Sequence, residues 1–382
     1  MKIFIMGVPH TQTTEEFNSC PFTTRALNLC RMFVGRGHEV IHLGIEGSTP
    51  QCSEHVSVIP QELWASLYGH PGAAQYNTRT DGEFAPYHEL YARNCRAAIE
   101  QRVSQPWEAI VCCTWGGAQR AATDDLNQFV VETGIGYRHT WSKYRVFETY
   151  AWMHFHLGLE QQFDGNRWYD VAIPSPIDPA QFDFRPQEKQ NYLLFMGRLN
   201  DDKGVAIAID VARRAGLPIK ICGQGDPAKF LKGNPHVAYV PPVGVEGRRK
   251  LMAEAAAFIC PTQYVEPYGM VAVEAQASGT PVIATDWGGF TETVLHGLTG
   301  YRCRTMEQFV WAAKNIYRID PAVCRRWAVD NYSPDRIALM YEEYFQSLLD
   351  LNGGGWYEER PNREQLNWLR KAYPRNFIGC DA

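Results

Sequence analysis

Short apolar runs that end in glycine or proline, separated by stretches of helical spacing, recur along this chain and restrict its fold more than any other feature. Residues 2–6 (Lys2-Ile3-Phe4-Ile5-Met6) are such a run and close on Gly7-Val8-Pro9-His10. From Thr23 to Gly35, Ala26, Leu27, Leu29, Cys30, Met32 and Phe33 fall at helical spacing, and Glu39-Val40-Ile41-His42-Leu43 is the next strand. A strand, helix and strand in this order make a βαβ unit, parallel and right-handed by strong default. Tyr87 to Val103 reads as a helix, and Ala109–Cys113 as a buried strand ending in Thr114-Trp115-Gly116-Gly117. A helix from about Ala118 and a strand Phe129–Glu132, ending in the turn Thr133-Gly134-Ile135-Gly136, continue the pattern. This alternation predicts an open α/β sheet that binds ligands at the carboxyl ends of its strands. Gly7, Trp115, Gly116 and Glu132 lie on that rim.

Glu132 has two readings: a catalytic carboxylate, or one that hydrogen-bonds the backbone of its own turn. The segment Tyr144 to His156 carries Tyr144, Phe147, Tyr150, Trp152 and Phe155 with two histidines, and aromatics at helical spacing read as core. Trp168–Ile173 reads as the last strand of this half. Pro174, Pro176, Pro179 and Pro186 then mark a linker. Residues 45–85 show no clear period.

The second half repeats the theme. Tyr192–Met196 is a strand, followed by the loop Gly197-Arg198-Leu199-Asn200-Asp201-Asp202-Lys203-Gly204 and a helix over Val205–Ala215. Further strands are expected at Ile219–Cys222, Val237–Val240, Ala257–Cys260, Pro281–Thr285 and Gly300–Arg302, with a helix near Glu246–Ala256. Arg198 supplies a planar fork for phosphate oxygens and Lys203 a mobile point charge; equally, Asp201 and Asp202 could neutralise both in a solvated loop. Between Pro261 and Ala277, Pro267 and Gly269 keep the first part irregular, and small apolar residues then form a short buried helix stopped by Ser278-Gly279. Glu266 sits in the loop and Glu274 on the helix, where a carboxylate among Val and Ala is costly without a partner. The open amides and positive dipole end of that helix suit an anion such as phosphate. Two glutamates so spaced are common, and most helical ones face water.

At 382 residues the chain has room for two domains. We expect an N-terminal domain over 1–180, a second over 188–350, and a tail over 351–382 that packs back on the first. Ser333-Pro334 opens the last helix, whose stripe is Ile337, Met340, Tyr341, Tyr344, Phe345, Leu348 and Leu349. The net charge of −5 argues against bulk nucleic-acid binding. The apolar start is too short for a signal peptide, and no run is long enough to span a membrane. The 11 cysteines include no C-x-x-C pair, which fits reduced thiols in the cytoplasm rather than a zinc ribbon or a disulfide scaffold. The Thr23–Phe33 helix has Arg25 and Arg31 but no lysine cluster, which allows weak membrane docking at most. The acidic runs at 123–125 and 200–202 have no histidine partner nearby, and no metal is expected.

Over roughly residues 190–350 the chain resembles the retaining nucleotide-sugar glycosyltransferases of the GT-B fold, family four (glycosyl transferases group 1). The resemblance rests on Gly197-Arg198…Lys203-Gly204, Glu266-Pro267-Tyr268-Gly269…Glu274-Ala275, Gly279–Asp286 and Gly288-Gly289-Phe290-Thr291-Glu292. It implies two doubly wound Rossmann-like domains facing across a cleft, with a C-terminal helix crossing back to the first. It further implies metal-independent transfer of a hexose, with retention, from a nucleotide sugar such as a UDP- or GDP-hexose to an acceptor hydroxyl, without a cofactor. Arg198 and Lys203 would hold the donor diphosphate with the amides of Gly269, Met270 and Val271. Glu274 would take the ribose and Glu266 the hexose. Gly7 is counted with the donor-binding set, and Glu266 and Glu132 are the candidate catalytic residues. The first half departs from the family, with Gly7-Val8-Pro9-His10 where a double glycine is usual and Glu132 near the place of a histidine. The acceptor therefore stays open among saccharide, lipid and other hydroxyl compounds. A GT-B epimerase or phosphorylase is the alternative.

Overall fold

The computed structural model describes residues 1–17, 20–69, 85–161 and 168–352, so the expected tail lies outside the described residues from 353 on. The described chain divides into two compact units. The first comprises Met1–Glu148, His156–Pro176 and the segment starting at Pro334; the second comprises Thr149–Phe155 and Ile177–Ser333.

In the first unit seven strands form one parallel sheet: β1 (Lys2–Met6), β2 (Glu39–Ile45), β3 (Glu54–Ile59), β4 (Ala109–Cys113), β5 (Phe129–Ile135), β6 (Tyr144–Phe147) and β7 (Val171–Ala172). Their order is β3-β2-β1-β4-β5-β6-β7. The alternation of side chains along β1 builds the core on both faces. Phe4 and Met6 join one cluster with Trp64, Tyr91 and Ile99. Ile3 and Ile5 join the other with Leu29, Phe33, Tyr341 and Phe345.

The last two of those residues belong to the helix Pro334–Leu351, the C-terminal helix that the resemblance sends back to the first domain, although it falls within the range 188–350 expected for the second. Its apolar stripe is the expected one, and it is buried in the first unit. Phe33 meets Tyr341 and Phe345 at 5.7 Å each, and Arg36 pairs with Glu342 at 2.9 Å. The division thus moves this helix, and the boundary falls at Pro176/Ile177 rather than at 180–188.

Three local expectations are corrected. Glu132 is not the end of a strand, because β5 runs on to Ile135 through a bulge between Glu132 and Ile135. Gly134 takes φ +59° there, and a Cβ on it would run into the Arg25 guanidinium. Tyr144–Phe147 is a strand, not part of a helix, and the helix is Tyr150–Leu159. The strand expected over Trp168–Ile173 shrinks to β7. The unread segment contains β3 and the helix Gln61–Tyr68.

The second unit repeats the design with six parallel strands: β8 (Leu193–Met196), β9 (Ile219–Cys222), β10 (Val237–Val240), β11 (Ala257–Cys260), β12 (Val282–Thr285) and β13 (Gly300–Cys303). Their order is β10-β9-β8-β11-β12-β13. The strand order therefore reverses between β8 and β11, and ligands of open α/β sheets bind at such a switch point. The loops that follow these two neighbouring strands carry Arg198, Lys203 and Glu266. Among the described residues no helix is long and apolar enough to cross a membrane.

Candidate functional site

The loop after β8 is held by its own polar groups and by the loop after β11. Asn200 Oδ1 accepts the amide of Lys203 at 3.1 Å, and the Gln263 amide donates to the Asp202 carbonyl at 2.9 Å. Gly204 sits against the carbonyl of Pro261 with no space for a Cβ. Lys203 is thereby aimed across the switch point. Its Nζ lies 2.7 Å from Glu266 Oε2 and 4.9 Å from the centre of the Tyr264 ring. The Tyr264 hydroxyl donates to the same Glu266 oxygen at 2.7 Å. Glu266 Oε1 accepts no hydrogen bond among the described residues. Arg198 is exposed, and among the described residues it has no hydrogen bond or ion pair. It is near enough for its charge to act on the Tyr264 phenol.

Next along the chain, Gly269 adopts φ 82° and ψ 47° and caps the helix Met270–Ala277. A Cβ there would strike the Phe290 ring. The amides of Gly269, Met270 and Val271 donate to no acceptor among the described residues, as expected for a first helical turn without a side-chain cap. One turn further on, Glu274 is buried and its Oε2 accepts from the Arg248 guanidinium. Burial pushes this carboxyl above the ordinary range, with Arg248 pulling the other way. The site residues expected in the second half therefore fall on the loops and helix of one sheet edge.

The two expected site residues of the first unit present no open group. The Gly7 amide donates to the Leu43 carbonyl at 2.8 Å. The Gly7 carbonyl accepts from Tyr91 and, at 3.0 Å, from Gln119. Glu132 accepts from the Tyr137 hydroxyl at 2.8 Å and from the amides of Trp141 and Ser142 at 2.9 and 2.8 Å. Burial pushes its carboxyl up to about 7 against these bonds. His10, on the same rim, is buried against Trp115, with ring centres 5.3 Å apart. Burial, helped by His88, holds its imidazole down at about 4.

Sequence reasoning missed Tyr264 and Arg248. The signal for Tyr264 was present, since an aromatic two residues before a loop carboxylate can reach it. Arg248 had none, because it lies on a separate helix, Val245–Glu254. Among the described residues no cluster of three or more His, Cys, Asp or Glu side chains could hold a metal ion.

Comparison with known proteins bears on this edge directly. Residues 177–328 match the model of the family described as glycosyl transferases group 1. A glycogen synthase of Mycobacterium tuberculosis is 32% identical over 175 residues, covering 41% of this chain and 42% of that protein. The chain thus matches less than half the length of that relative. AviGT4, a glycosyltransferase involved in avilamycin A biosynthesis, superposes with a TM-score of 0.66 at 22% identity, over 91% of this chain and 98% of its own. Anabaena HepE in complex with UDP and glucose superposes with a TM-score of 0.62 at 14% identity, over 91% of this chain and 100% of its own. These likenesses show the fold, a pair of Rossmann-like units of the GT-B type.

Proposed function

We propose, from the match of residues 177–328 to the glycosyl transferases group 1 model, that this chain moves a hexose from a nucleoside-diphosphate sugar to an acceptor hydroxyl, with retention and without a metal. The observation that carries the reading is the company kept at the β8–β11 switch. Arg198, Lys203 and three open amides lie on one sheet edge, next to a carboxylate with one oxygen open.

In this reading Arg198, Lys203 and the amides of Gly269, Met270 and Val271 take the diphosphate. Each charge-assisted contact contributes roughly 1.5–3 kcal/mol when partly shielded from water. As the sugar–phosphate bond breaks, negative charge grows on the departing diphosphate. Groups fixed beforehand around that charge stabilise the transition state more than the ground state. Glu274 takes the ribose hydroxyls, and Glu266 Oε1 takes the hexose. A hexose donor with UDP as carrier is supported by HepE, which holds UDP and glucose. Glu132, with its oxygens engaged by Tyr137, Trp141 and Ser142, is assigned to holding its loop rather than to the reacting atoms.

A melting panel with UDP- and GDP-hexoses tests this. A donor at about 100 times its dissociation constant stabilises the protein by roughly 2.7 kcal/mol. We expect at least one donor to do so and to release nucleoside diphosphate when acceptor is supplied. A panel in which no nucleotide sugar shifts the melting point overturns the proposal, and conversion of the donor without acceptor favours an epimerase.

A further inference from the structure

We infer that Tyr264 is a positioning residue for the transfer, fixing the Glu266 carboxylate so that one named oxygen, Oε1, faces the sugar. The inference rests on the donor-site reading above. Among the described residues, Glu266 is the sole side chain that the Tyr264 hydroxyl bonds, at 2.7 Å. A phenylalanine would pack here equally well as a ring beneath Lys203, so packing does not account for the hydroxyl.

The terminal torsion of a glutamate is soft and roughly two-fold, so a carboxylate held by one lysine can exchange its oxygens. Here two donors, Lys203 Nζ and the Tyr264 hydroxyl, both end on Oε2 at 2.7 Å. That arrangement uses one oxygen twice and leaves the other open. The backbone behind it is also fixed, because Trp287 Nε1 donates to the Tyr264 carbonyl at 3.0 Å and the Gly289 amide to the Glu266 carbonyl at 2.7 Å. Burial, with the carboxylate of Glu266, holds the phenol above its ordinary range, so the hydroxyl stays a donor. When Lys203 also engages a diphosphate, the tyrosine remains as the contact that keeps Oε2 turned inward.

The test is a double-mutant cycle on donor turnover. Wild type, Tyr264→Phe, Glu266→Gln and the double variant are assayed with UDP-glucose and GDP-mannose, following release of the nucleoside diphosphate to water. Binding of UDP and GDP is measured in parallel by calorimetry. Tyr264→Phe is expected to lower kcat on the order of tenfold, while the nucleoside-diphosphate dissociation constant stays within about twofold. In the Glu266→Gln background the same change is expected to do nothing further, since Tyr264 acts through that carboxylate. An unchanged kcat, equal losses of turnover and nucleotide affinity, or additive losses in the double variant would each overturn the inference. A wild type that neither binds nor turns over any nucleotide sugar removes the transferase reading itself, an outcome separate from these.

Discussion

The two sheets share a topology but differ in how the candidate site groups at their carboxyl ends are paired. In the first unit the Gly7 amide is taken by Leu43, the Glu132 oxygens by Tyr137, Trp141 and Ser142, and Gln119 by the amides of Thr114 and Trp115. In the second unit one oxygen of the half-buried Glu266 and the amides at 269–271 are left open among the described residues, on the same edge as the exposed Arg198. Buried or half-buried polar groups are costly to leave without partners. An edge that does so is therefore built for a partner that comes from outside. For the site residues named here, the first edge is thus self-satisfied and the second is the receiving edge, a difference that hydrogen-bond accounting shows and strand order does not.

The largest expected effect sharpens the receiving side. Arg248→Ala leaves the buried carboxylate of Glu274 without its cation. Breaking such a pair costs about 3 kcal/mol, part of which the group escapes by taking a proton. Denaturant titration of the variant should show that loss, and adding a nucleoside diphosphate should recover part of it if Glu274 belongs to the ribose site. A variant as stable as wild type would place Glu274 among incidental helix carboxylates.

A smaller effect probes the self-satisfied side. His10 is neutral in the fold because burial lowers its imidazole from 6.5 to about 4. The unfolded chain binds a proton below pH 6.5 that the folded chain does not. The stability is therefore complete above that pH and is lost as the pH falls through the window towards 4. At pH 5 the loss is about 2 kcal/mol for this residue. Replacing His10 with Gln should flatten the stability–pH curve between 6.5 and 5 by that amount. An unaltered slope would mean that the buried histidine does not titrate as described.

Much of this was legible in the sequence for a physical reason. Strands buried on both faces must be continuous apolar runs, and their ends need glycine or proline to turn. The helix after Gly269 was legible to within a residue because small apolar side chains start and Ser278-Gly279 stop it. Reading failed where one residue type serves two geometries. Thr133-Gly134 looks like a turn, yet Gly134 lies in a bulge that accommodates Arg25. Tyr144, Phe147 and Tyr150 are spaced as on a helix, yet the first two sit on a strand. β3 carries His55 and Ser57, so its apolar run is broken. Arg248 could not be paired with Glu274 without the fold, because sequence separation says nothing about which helix faces which.

Everything proposed for the second unit requires that the helix amides at 269–271 receive a diphosphate. Hydrogen exchange of the whole chain, with and without saturating UDP or GDP, measures this residue by residue. Slowed exchange at Met270 and Val271, with the Gly7 amide unchanged, is the predicted result. Exchange at Met270 and Val271 that stays as fast with bound nucleotide as without it would contradict the account.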